Sequence, residues 1–189
     1  MTGQQPTTAV RRSFRDVRHS AQNPTCIYLN DHLAGATAGV ELARRVANAE
    51  QVPAARDALQ GFATEVAEDR RALLGIMADL DVPVRSYKVY AGWIGEKAGR
   101  LKFNGRLRTR SPLSSLEELE FLNLGVQGKA AGWRTLRALA DRDHRLEPTR
   151  LDELLDRARR QADFLEGARV RAAELAITAG PAGPAGAAG

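Results

Sequence analysis

The chain is poor in the residues on which most site chemistry depends. Its 189 residues include one cysteine and three histidines, and only four of its 28 basic residues are lysines. The single Cys26 excludes an intrachain disulfide framework and a cysteine-rich zinc site, and its neighbours offer nothing that would activate a thiol. His19 lies in the polar N-terminal stretch and His144 in a connection, so only His32 falls inside a periodic segment. No spacing of Ser and His suggests a catalytic triad. No apolar run approaches the roughly 18 residues of a membrane-spanning helix. The arginines among the first twenty residues have no apolar stretch behind them, which runs against a secretory signal and makes the cytoplasm the expected location. Gly92-Trp-Ile-Gly95 and Gly125-Val-Gln-Gly128 lack the Lys-Ser/Thr that would make a phosphate loop, and neither follows a strand pattern. No segment alternates with period two, so a sheet is not expected.

What is present is helical periodicity. The hydrophobic fraction of 43% and charged fraction of 27% suit one globular domain. Within it, four segments carry apolar residues at alternating spacings of three and four. The first runs from Thr25 to Asn48 with Leu29, Leu33, Ala36, Val40, Ala43 and Ala47 on one stripe. The second opens near Pro53, a first-turn position, and aligns Leu59, Phe62, Val66, Asp69, Leu73, Ile76 and Leu80 until Pro83 forbids continuation. The third begins at Pro112, or at Ser114 if Ser114-Ser115-Leu116-Glu117 acts as a capping box, and aligns Leu119, Leu122, Val126, Lys129, Trp133, Leu136 and Ala140. The fourth opens near Pro148 and aligns Leu151, Leu154, Ala158, Gln161, Leu165, Ala168, Ala172 and Leu175. Residues 1–24 and the Ala/Gly/Pro-rich residues 178–189 lack any apolar face and are expected to be disordered tails around a bundle spanning 25–177.

The connections imply a topology. About five residues join the first two helices and about eight the last two, short enough to make each pair antiparallel neighbours. The 32 residues from Asp81 to Pro112 are long enough to travel the length of the bundle. The expected fold is therefore all-α, an antiparallel four-helix bundle with one long crossover, residues 81–112, between its second and third helices.

This arrangement, with Glu65-Val-Ala-Glu68-Asp69 in the second helix, Glu117-Glu118-Leu119-Glu120 in the third and Gln161-Ala-Asp163-Phe-Leu-Glu166 in the fourth, resembles the ferritin-like four-helix bundles. The resemblance implies a di-iron or di-manganese site built from a Glu on each of two helices and a Glu-x-x-His on each of the others. No Glu-x-x-His occurs in the sequence, so that site is expected to be lost. The helical register places Asp69, Lys129 and Gln161 at one level, near Gly35, Ala36 and Gly39 of the first helix, so a lysine ammonium among carboxylates is expected where metal would lie. The competing expectation is that the third helix rotates slightly and Lys129 snorkels to water. If a metal such as iron or manganese is bound, Glu65, Asp69, Glu120 and His32 are the candidate ligands.

Charge is segregated along the chain. Arg85, Lys88, Lys97, Arg100, Lys102, Arg106, Arg108 and Arg110 face only Glu96 within residues 85–110 of the crossover, a local balance of +7 in a chain of net charge +5. Tyr87, Tyr90, Ile94, Ala98 and Leu101 recur there at helical spacing with Trp93 close by. Such a segment suits an anionic membrane surface or a nucleic-acid backbone, or else seals the flank of the bundle. Together these features lead to an expectation of a non-enzymatic bundle without a cofactor, acting through an unknown protein partner or as a homo-oligomer. The alternatives are a metal-binding oxidoreductase or metal store, and a binder of anionic surfaces.

Overall fold

The computed structural model describes residues 23–85 and 112–178, and every regular element among them is helical. The four helices are α1 (Pro24–Ala49), α2 (Pro53–Asp79), α3 (Pro112–Leu139) and α4 (Pro148–Thr178). No strand occurs among the described residues, and no helix among them is long and apolar enough to cross a membrane. Each helix opens on a proline, whose fixed φ and missing N–H cost nothing at that position. Of the two starts expected for the third helix the chain takes Pro112, which leaves Ser114 to Glu117 inside the helix rather than capping it. Asn23 caps α1 by accepting from the Thr25 N–H at 3.0 Å.

The helix ends differ in detail from the sequence expectation. Only residues 50–52 join α1 to α2, because Glu50 turns its carboxylate back onto the N–H groups of Gln51 and Val52 at 2.8 and 3.0 Å and closes the turn early. Pro83 is not what stops α2. The helix ends four residues sooner, with Asp81 in the left-handed region at φ 56°. The Val82 N–H bonds to the Met77 carbonyl at 2.8 Å and the Asp81 N–H to the Ala78 carbonyl at 3.1 Å, the paired bonds of a Schellman cap. An aspartate stands where glycine is usual. Asp81→Gly is therefore expected to raise stability by about 0.5–1 kcal/mol, since its ion pair with Arg145 is highly exposed and contributes little; a denaturant midpoint that falls would contradict this.

The apolar stripes pack as two groups of side chains. One gathers Val40, Ala43, Phe62, Val66, Leu122, Val126 and Leu165, and the other Leu29, Leu33, Leu73, Met77, Trp133, Leu136 and Leu151. Asp69 falls between them along α2. Three helix pairs approach closely, α1 with α2, α3 with α4 and α1 with α3. Between α2 and α4 the gap is instead bridged by long side chains. The fourth stripe runs out before its expected end: Leu175 is 66% and Ile177 78% exposed.

Cross-helix contacts fix the registers. Tyr28 Oη donates to Thr135 Oγ1 at 3.1 Å, His32 lies against Gly132, and Arg45 pairs with Glu118 at 3.2 Å, so numbers rise along α1 as they fall along α3. Gly132 is needed there, since a Cβ would lie 3.1 Å from the His32 ring. In the same register Gly35 falls opposite Gly128 and Gly39 opposite Gly125. Among the described residues, a Cβ at Gly35, Gly125 or Gly128 would meet nothing within 4 Å. Among the described residues, the glycine face of α3 therefore meets a close neighbour only at Gly132.

Candidate functional site: a buried ionic cluster

Midway along the bundle, three helices send polar side chains into one place. Asp69 and Gln161 are each only 2% exposed, and the Lys129 side chain 13%. Lys129 Nζ donates to Asp69 Oδ2 at 2.5 Å and also to Gln161 Oε1. The amide of Gln161 is used at both ends, because its Nε2 donates to Glu65 Oε2 at 3.0 Å and to Asp69 Oδ2 at 3.2 Å. Periodicity explains the convergence: each residue occupies a slot in its own apolar stripe, so burying the stripe buries the polar group with it.

The sequence reading did not include a second cation. Arg157 Nη1 donates to Glu68 Oε2 at 2.9 Å, and its Nε lies 2.9 Å from Asp69 Oδ1. That distance makes an ion pair, but the N–H does not point along it, and both atoms are without a hydrogen bond. Arg157 precedes Gln161 by one turn and Glu65 precedes Asp69 by one turn, so the i, i+4 neighbours of the stripe positions were the available signal. A cleft of about 470 Å³ lies beside the cluster along the α2–α4 gap, lined by Ala72, Arg150, Glu153, Leu154, Arg157 and Arg160. Arg150 crosses it to the Ala72 carbonyl at 3.2 Å, over Gly75, where a Cβ would lie 2.9 Å from the guanidinium.

Burial pushes the Lys129 ammonium below its ordinary range, with Asp69 pulling the other way and Arg157 reinforcing the depression. A lysine whose pKa is lowered on folding binds its proton less well in the native state than in the unfolded chain. Below the folded pKa both states hold the proton and there is no pH dependence. From the folded pKa up to 10.5 the unfolded state holds more, so stability rises with pH across that window. Unfolding free energies of the wild type should therefore climb relative to those of Lys129→Met as pH increases toward 10.5. A flat difference would contradict the burial.

The conditional metal ligands are not brought together. Glu65 and Asp69 belong to the cluster, but Glu120 lies nine residues from Lys129, about 13 Å along the helix axis, and faces Arg169 at 3.9 Å. His32 sits on the α1–α3 flank, its ring edge-on to Tyr28 with centroids 4.5 Å apart, and burial lowers its pKa against the pull of Asp31. Among the described residues no group of three or more His, Cys, Asp or Glu could hold a metal ion. The donor set does not fit a di-iron centre, since Lys129 and Arg157 already bring two cations to the carboxylate a metal would need. Of the basic crossover residues only Arg85 is described. Lys88, Lys97, Arg100, Lys102, Arg106, Arg108 and Arg110 lie outside the described residues.

Another polar contact, also absent from the sequence reading, positions the exit of α2. Asn30, buried on α1, donates to the Pro83 carbonyl at 3.1 Å and accepts from the Arg85 N–H at 2.8 Å, tying residues 83–85 to α1. No family model, curated protein or solved structure matches this chain.

Proposed function

We propose that this chain is an antiparallel four-helix bundle of ferritin-like topology, with its long crossover between α2 and α3, in which an internal ion cluster stands in place of a di-iron centre. Its role is structural or in macromolecular interaction rather than catalytic. The observation that carries the reading is the seating of Lys129 between Asp69 and Gln161 at the level where metal ligands would converge. An ammonium there satisfies carboxylate charge without a bound ion, and a divalent cation would have to displace it against the repulsion of Arg157. The opposed numbering along α1 and α3 supports the topology, as does that along α2 and α4, where Arg150 reaches Asp79 and Gln161 reaches Glu65. Protein purified without chelator is expected to carry far less than one iron, manganese or zinc per chain by mass spectrometry of the metals. Near-stoichiometric metal, lost in Asp69→Leu, would overturn the reading in favour of a metal-binding oxidoreductase or store.

A further inference from the structure

Arg150, Arg157 and Arg160 stand at spacings of seven and three along α4, which puts them within about 80° of one another on the helix surface. The row of α2 that they meet reads Glu68, Ala72, Gly75 and Asp79 at helical spacing, acidic at its ends and small in its middle. Arg157 reaches Glu68 at 2.9 Å and Arg150 reaches Asp79 at 3.3 Å, so two ion pairs close the ends of the row. The cleft of about 470 Å³ opens between them, over Ala72.

The walls of this cleft hold more donors than the described residues use. Three guanidiniums bring about fifteen N–H groups. Only three of these are in hydrogen bonds among the described residues, Arg150 to the Ala72 carbonyl and to Asp79, and Arg157 to Glu68. Arg160 has no partner there, and the Arg157 Nε is buried without a hydrogen bond. The carboxylates of Glu68 and Asp79 are 45% and 50% exposed, so water screens their hold on the two arginines they meet. Glu153, likewise unpaired among the described residues, is the single acidic residue of the lining, against three cations.

The arrangement of the donors says what they would take. Guanidinium forks match phosphate oxygens bidentately, which a compact ammonium does not. Arg160 lies ten residues beyond Arg150, about 15 Å of helix, so the donors form a row that suits linked phosphoryl groups better than one small oxyanion. Among the described residues no aromatic side chain lines the cleft, which leaves nothing to stack on a nucleotide base.

We infer that the α2–α4 cleft binds a linear polyphosphate group, a diphosphate or triphosphate, through Arg150, Arg157 and Arg160, with Glu153 opposing. Such a site requires neither a metal-free centre nor any particular course of the chain between α2 and α3, and so stands apart from the proposed function.

Calorimetric titration of the full chain with inorganic triphosphate tests this. Binding is expected, and it should weaken as salt rises. Arg160→Gln should weaken it about tenfold through the loss of charge-assisted hydrogen bonds, whereas Glu153→Gln should tighten it by removing a repelling charge. Neither side chain has a partner to lose among the described residues, so unfolding midpoints should not move. Arg159→Gln is the control: it removes the same charge one residue away, from a guanidinium that pairs with Asp156 and does not line the cleft, and should change affinity less than about twofold. Equal weakening by Arg159→Gln and Arg160→Gln, affinity untouched by Arg160→Gln and Glu153→Gln, or no binding at millimolar triphosphate would each overturn the inference. Inorganic monophosphate bound as tightly as triphosphate, or ATP bound far more tightly, would overturn the assignment of the ligand as a polyphosphate group. Metal found in the protein would overturn the ion-cluster reading and leave this one standing.

Discussion

Lys129→Met is expected to lower stability by about 3–5 kcal/mol, among the largest losses from any single change in this chain. The charge it leaves behind is the reason: Asp69 is 2% exposed and would keep only Gln161 and a poorly aimed Arg157. Asp69→Leu alone should cost a similar amount by stranding Lys129. The double variant should recover much of the loss, because burial already lowers the lysine's pKa in spite of Asp69, so the pair costs nearly as much to bury as it returns. Recovery will be partial, since Arg157 retains Glu68 and Gln161 retains Glu65 but both lose an anion. Chemical unfolding of the four proteins in the cycle measures the coupling directly. Strictly additive losses, or a Lys129→Met cost below about 1 kcal/mol, would place the lysine outside the cluster.

The second large effect is a contrast between two leucines on neighbouring helices. Leu136 is 1% exposed in the group around Trp133 and Met77, and Leu136→Ala should cost about 2–5 kcal/mol through lost burial and the cavity left behind. Leu175 occupies the equivalent phase of its own stripe yet is 66% exposed, so Leu175→Ala should change stability by no more than about 0.5 kcal/mol. Thermal and denaturant unfolding of both variants would check this. A comparable loss at Leu175 would mean that something covers the end of α4.

These effects separate what periodicity reveals from what it hides. The four helices and most of their buried residues follow from three-four spacing, and so do the stripe positions of Asp69, Lys129 and Gln161. Arg157 escapes the stripe reading because it sits one residue off the stripe, where a charged side chain ordinarily points to water. Asn30 was missed for the same reason. Its slot is set by the hydrogen-bonding needs of the Pro83 carbonyl and the Arg85 N–H, groups more than 50 residues away. The end of α2 was legible to within a residue but its cause was not, because Pro83 is a conspicuous breaker, while an aspartate in a left-handed cap gives almost no compositional warning. Leu175 shows the converse failure, since a residue in phase with its stripe is nonetheless 66% exposed.

The placement of the ion cluster between two groups of apolar side chains has a consequence for alignment. Apolar stripes are nearly self-similar, so a helix displaced lengthwise by one turn, about 5.4 Å, would still set leucine against leucine. The same displacement would push Lys129 or Gln161 into a hydrocarbon layer and leave Asp69 facing a side chain that cannot neutralise it. Three polar residues on three helices thus act as a key with a single seating depth, excluding slipped packings that apolar burial alone would tolerate.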